Sequence, residues 1–203
     1  GYIGGFAGSA NGTIERCAAL GNVNGLGLTG GFVGHPGCEM IVRDCYAAGN
    51  VTSGAAGGFT GHIRGIIERT YASGDVTLTG NSSGGGFGFY GSACTDSYSC
   101  TVTDSYATGN VTGISGDMAG FSYQINGCDI DNAYALGDVT ATTGKAAGFA
   151  MRITDNYFGT ESTLDTIFSA GSVNVTSGDA YGLAYIAEDD DVTNAYWYDA
   201  PTD

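Results

Sequence analysis

Gly30-Gly31-Phe32-Val33-Gly34 is followed ten residues later by Asp44-Cys45-Tyr46-Ala47-Ala48-Gly49-Asn50-Val51-Thr52, and this pair of phrases decides the fold because it returns. Gly57-Gly58-Phe59-Thr60-Gly61 precedes Thr70-Tyr71-Ala72-Ser73-Gly74-Asp75-Val76-Thr77, and further copies run over 105–112 and 133–140. Taking the aromatic after the glycines as a marker gives Phe6, Phe32, Phe59, Phe87, Phe121, Phe149 and, more weakly, Leu183. The steps are 26, 27, 28, 34, 28 and 34 residues, so insertions are expected near 90–100 and 155–165.

Other columns share the alignment. Ile14, Val42, Ile67, Val102, Ile130, Leu164 and Val192 stand four residues before Ala18, Tyr46, Tyr71, Tyr106, Tyr134, Phe168 and Tyr196. A glycine column runs Gly21, Gly49, Gly74, Gly109, Gly137, Gly171, and valines follow two residues later from Val23 to Val173. The period-two spacing, broken by a glycine turn, predicts strands and corners rather than helices. A unit of about 27 residues is one coil of roughly three short strands, unable to bury its apolar side alone. The fold expected for 1–203 is therefore all-β: a single parallel β-solenoid of about seven rungs, like residues stacked on like at roughly 4.8 Å.

Composition agrees. Glycine is 37 of 203 and proline only 2, with an apolar share of 42%, which fits neither collagen nor disorder. The net charge of −15, with Lys145 the only lysine, disfavours nucleic acid as a partner. No apolar run approaches the roughly 20 residues of a membrane span. The chain starts at Gly1 inside a repeat, so it reads as a piece of something longer, and the open first rung invites end-to-end self-association or a neighbouring domain of the same chain. Residues 186–203 are atypical and are expected to form a cap.

The Gly-Gly-Phe-x-Gly and Tyr-Ala-x-Gly-Asn-Val-Thr units resemble GLUG-type repeats of large bacterial and archaeal surface proteins, including adhesin-like chains. The closing Asn194-Ala195-Tyr196-Trp197-Tyr198-Asp199 is similar to the ending of such arrays. The resemblance implies an exposed scaffold or adhesive stalk and brings no catalytic residues with it. Phe89, Tyr123, Met151 and Tyr185 depart from the glycines at 8, 34 and 61, which suggests a wider core in the later rungs.

Six cysteines are present. Cys17 and Cys45 share a column in adjacent rungs, as do Cys100 and Cys128, so both pairs are expected to be disulfides. Cys38 and Cys94 remain, and could pair only if the 90–100 insertion folds back. Disulfides imply an oxidising compartment and hence a secreted or cell-surface location. His35 and His62 also align, each three residues after a marker phenylalanine. They read as ladder residues or, with no third ligand evident, as a weak metal pair. Glu188 to Asp191 is a calcium candidate or a solvated acidic end. Asp75 and Asp138 occupy the turn column of Asn22, Asn50 and Asn110 and read as turn residues.

If the valines point inward, Thr52, Thr77, Thr112 and Thr140 point outward in one ladder, with Thr79, Thr142 and Thr176 as a second file. Such an array suits ice, a crystal or another solid surface, although stacked threonines also simply stabilise strands. Sequons at Asn11, Asn50, Asn81, Asn110 and Asn174 would place glycans beside it. No His-Glu-x-x-His, hydrolase Gly-x-Ser-x-Gly or phosphate-loop site is expected. The leading expectation is a non-catalytic extracellular scaffold without cofactor that contacts glycans or a surface. Ice binding follows it, and a polysaccharide-cleaving β-helix enzyme with carboxylates on neighbouring rungs comes third.

Overall fold

The computed structural model describes residues 1–92, 100–155, 159–187 and 191–198. Every element among them is a β-strand, and every strand pair is parallel. Apolar side chains from three stacked sheets meet inside a nearly closed coil, an arrangement consistent with a parallel β-solenoid.

The histidine sheet has seven strands, from Ala7–Ala10 through Val33–Pro36, Thr60–Ile63, Gly88–Gly91, Ser122–Asn126 and Ala150–Thr154 to Ala184–Ala187. The tyrosine sheet stacks Thr13–Glu15, Ile41–Arg43, Gly65–Glu68, Cys100–Ala107, Cys128–Ala135, Thr163–Ala170 and Asp191–Tyr198. In its first coils the tyrosines sit on separate short strands such as Tyr46–Ala47, which fuse with the preceding strand from Cys100 onward. The valine sheet carries Val51–Ser53, Val76–Asn81 and Val111–Ser115 in one file and Leu28–Gly30, Ala55–Gly57 and Asp117–Ala119 in another. The two files join in Val139–Ala147.

Register follows the sequence columns. Val51 faces Val76, Val76 faces Val111 and Val111 faces Val139, while Tyr46, Tyr71, Tyr106 and Tyr134 align likewise. Between coils the partner offset rises from 28 residues at Ile63 and Gly91 to 35 at Gly65 and Cys100. A second jump, from 28 at Asn126 and Thr154 to 34 at Asp129 and Thr163, places extra residues between 154 and 163.

The core is made of ladders. Phe32, Phe59, Phe87, Phe121 and Phe149 are at most 1% exposed and stack at 4.7–5.1 Å between ring centroids. Each buried phenylalanine contributes roughly 1.5–3 kcal/mol of transfer free energy. Their backbones are paired as well, as in Phe59 N–H donating to Phe87 O at 2.8 Å, so these corners leave little of the main chain unsatisfied.

Two corners differ from the sequence expectation. The glycine column is not where alternation breaks: Gly49, Gly74 and Gly109 lie between inward residues, and a Cβ on each would stand 2.0–2.1 Å from the carbonyl oxygen of the glycine in the preceding coil. Glycine is required there by close stacking. The break falls at Arg16, Asp44, Arg69, Asp104, Asn132, Thr166 and Asn194, all left-handed with φ between 48 and 54°. In the coil of Asp44 this lets Arg43 and Asp44 both face outward, so that Val42, Cys45 and Ala47 are all buried while Tyr46 is half-exposed.

The later rungs do not widen the main core. Met151 packs with Ala119 and Ala147, joined by half-buried Tyr123 and Tyr181, in a cluster separate from the phenylalanines. In the first coils the same position must be glycine, because a Cβ on Gly34 would lie 2.5 Å from Ile3 O and one on Gly61 2.3 Å from Gly34 O.

Candidate functional site

Three outer faces carry polar groups. On the valine sheet Thr52, Thr77, Thr112 and Thr140 are consecutive partners across the ladder, flanked in register by Asn24 and Asn174. Thr77, Thr112 and Thr140 are exposed and Thr52 is half-buried, with Val51, Val76, Val111 and Val139 fully buried between them. The second file is mixed. Thr79, Thr142 and Thr176 are exposed, but Gly54 follows Thr52 at that spacing and Ile114, 65% exposed, follows Thr112.

Beside this face runs a ladder of turn residues. Asn50 N–H donates to Asn22 Oδ1 at 2.9 Å, Asp75 N–H to Asn50 Oδ1 at 3.0 Å and Asn110 N–H to Asp75 Oδ1 at 2.9 Å. Asp138 N–H and Ser172 N–H continue it onto Asn110 and Asp138 at 2.9 and 2.7 Å. Asp75 and Asp138 are thus turn residues that bind backbone. All five sequon asparagines, Asn11, Asn50, Asn81, Asn110 and Asn174, are exposed.

The tyrosine face shows an aromatic file with unusual limits. Tyr46, Tyr71, Tyr106 and Tyr134 are half-exposed and stack nearly parallel at 4.7–5.0 Å. Ring faces are therefore covered by neighbouring rings, and a ligand alongside meets ring edges and hydroxyls. In the early coils Arg43 bridges Glu15 and Glu68 at 3.6 and 2.7 Å, and Arg69 holds Asp44 through two bonds of 2.7 and 3.1 Å. The Arg69 hydrogen bond keeps the Asp44 carboxyl below its ordinary range. Further along, the carboxylates serve the stack: Asp104 accepts from Asn132 at 2.6 Å, and Asp165 from Thr193 and Asn194 at 2.7 and 2.8 Å.

The histidines lie on the third face. Tyr2, His35, His62 and Tyr90 form a column with centroid spacings of 4.3, 5.0 and 5.3 Å. Burial, with Arg64 and His35 nearby, pushes the His62 imidazole down to about 3, and burial and Arg64 lower His35 as well. Among the described residues no group of three or more His, Cys, Asp or Glu is placed to hold a metal ion. Glu188, Asp189 and Asp190 of the calcium candidate lie outside the described residues, as does Asp199 of the expected cap.

Cys100 and Cys128 are disulfide-bonded, with Cα atoms 4.6 Å apart. Cys17 and Cys45 are not: both are free thiols, which corrects the expectation from their shared column. Each sulfur donates to the carbonyl two residues back, at the end of the preceding strand, Cys17 to Glu15 O at 3.2 Å and Cys45 to Arg43 O at 3.1 Å. The thiols thus take the same local bond in successive coils instead of turning toward each other. Cys38 is disulfide-bonded, and Cys94 lies outside the described residues.

One pentapeptide corrects the expectation for Gly-x-Ser-x-Gly: Gly80-Asn81-Ser82-Ser83-Gly84 has the form of a hydrolase nucleophile turn. Such a turn leads from a strand into a helix. Here it links two strands of the valine sheet, Ser82 Oγ donates to Thr79 O at 2.8 Å, and both histidines belong to another sheet, so the pentapeptide is a corner of the coil. No family model, curated protein or solved structure matches the chain.

Proposed function

We propose that this chain is a non-catalytic extracellular scaffold or adhesive module: about seven rungs of roughly 27 residues, with insertions near 90–100 and 155–165. The observation that carries this reading is the uniformity of the outer faces. Polar groups run as axial files at strand spacing, with Thr52, Thr77, Thr112 and Thr140 in unbroken register, and many carboxylates and amides serve neighbouring coils. A surface of that kind contacts extended partners, such as glycans or a solid, by many weak repeated contacts. The resemblance to GLUG-type surface repeats supports the same reading, and the Cys100–Cys128 disulfide fits an oxidising, secreted or cell-surface setting.

The first coil adds a place for self-association. Phe6 stacks on Phe32 at 4.8 Å yet is 47% exposed, so a further rung, from a neighbouring domain or a second copy, would extend the ladder in register. Electron microscopy and cell-surface labelling test the proposal. Surface labelling, with or without filaments, supports it, and a monodisperse protein confined to the cell interior refutes it.

The exposed threonine file favours a second reading, adsorption to ice or another crystal surface. Purified protein should then show thermal hysteresis or inhibit recrystallisation, and the absence of both removes this reading. The break at Ile114 and Gly54 confines the regular hydroxyl array to one file, which favours the scaffold reading over this one.

A further inference from the structure

We propose that Arg64, His35 and His62 form an anion-binding site on the outer face of the histidine sheet, taking a carboxylate or comparable oxyanion. Arg64 follows directly on strand Thr60–Ile63, two residues beyond His62. Its Nη1 lies 3.0 Å from His35 Nε2, and since a guanidinium only donates, that imidazole nitrogen is the acceptor and His35 Nδ1 carries the proton. Arg64 is half-buried and makes no ion pair among the described residues, whereas Arg43 and Arg69 are each held by two carboxylates. Arg64 Nε and His62 Nδ1 are both buried without a hydrogen-bond partner.

A partly desolvated guanidinium with an orphan N–H carries a desolvation cost, larger for a charged group than for a neutral one. An oxyanion accepting from its fork removes that cost, as planar, bidentate arginine recognition does generally. The phenols of Tyr2 and Tyr90 bracket the imidazoles and add hydroxyls at the two ends of the column. Charge placement agrees. Residues 1–92 hold four of the six basic and only five of the 21 acidic residues, so the site sits in the nearly neutral part of a chain whose remainder repels anions. Saturable anion binding here must be local, because the net charge of −15 opposes any diffuse attraction.

The chain has two histidines, so imidazole NMR signals report the site directly. The full chain would be titrated with sulfate, with phosphate and with galacturonate oligomers, against sodium chloride at matched ionic strength. The expected result is saturable shifts of both imidazoles with a rise in melting temperature, and binding at least about tenfold weaker in Arg64→Gln. Preference for galacturonate identifies a sugar carboxylate as the ligand; equal response to sulfate and phosphate identifies a free oxyanion. Shifts that do not saturate in the folded wild-type chain with any of the three overturn the proposal, as does unchanged binding in folded Arg64→Gln. Should Arg64→Gln fail to fold, His35→Gln replaces it, with weakened binding expected and undiminished binding refuting the site.

Discussion

Gly109→Ala and Gly21→Ala change the same motif position with opposite consequences. A Cβ on Gly109 would lie 2.0 Å from Gly74 O and 2.5 Å from Gly74 C, whereas one on Gly21 would meet nothing within 4 Å. Relieving the first contact requires the two coils to part by about 1 Å, since a carbon and a carbonyl oxygen need about 3 Å or more. The strain should cost about 2–3 kcal/mol, in the range of overpacked cores. Gly21→Ala should be neutral or stabilise by about 0.4–1 kcal/mol through the unfolded chain. Stacked repeats open locally, so amide exchange at Val76 and Thr108, which donate across this junction to Asn110 O and Ala72 O at 2.8 and 2.9 Å, is the appropriate assay. Gly109→Ala should speed their exchange by about 30- to 150-fold and Gly21→Ala should leave it unchanged. If both variants exchange alike, the glycine column is not set by coil-to-coil contact.

Thr166, exposed and β-branched at φ 53°, is strained, so Thr166→Asn should stabilise by about 0.5–1 kcal/mol in urea denaturation. The Cys100–Cys128 bond closes a 28-residue loop, and Cys100→Ser with Cys128→Ser should lose up to about 3.5 kcal/mol, read from melts with and without reductant. Because the folded His62 imidazole titrates near 3, below its unfolded value, the unfolded chain takes the proton first as pH falls. Stability should therefore decline from about pH 6.5 downward, by roughly 1–3 kcal/mol after allowing for partial exposure, and His62→Gln should flatten that decline between about pH 6.5 and 4.5, before the carboxylates protonate.

The columns of valine, phenylalanine, tyrosine and glycine were legible in the sequence because each contributes one side chain type to one stacked environment. The valines and tyrosines are strand partners residue for residue, and the phenylalanines stack ring on ring. The left-handed corner was not legible by composition, since Arg16, Asp44, Asn132 and Thr166 share only backbone geometry there. Parity held the clue: Cys45 and Thr70, immediately before the aromatic column, are buried together with Ala47 and Ala72 after it, which strict alternation from Val42 or Ile67 does not allow. The Cys17–Cys45 pairing failed for a related reason, because column spacing fixes where the Cα atoms stand but not which way each thiol turns. Arg64 belongs to no column, and that it pairs with no carboxylate among the described residues emerges only once the coils are stacked.

The asparagine and aspartate ladder bears on how this protein ages. Only the Oδ1 atom of each residue is used, as an acceptor of a backbone N–H from the following coil, and Asp75 and Asp138 already fill the place as well as Asn22, Asn50 and Asn110 do. Simple hydrolytic loss of ammonia from those amides would add negative charge yet leave an acceptor in every bond. Along this edge, slow chemical damage would register as a change in isoelectric point long before it registered as a change in shape.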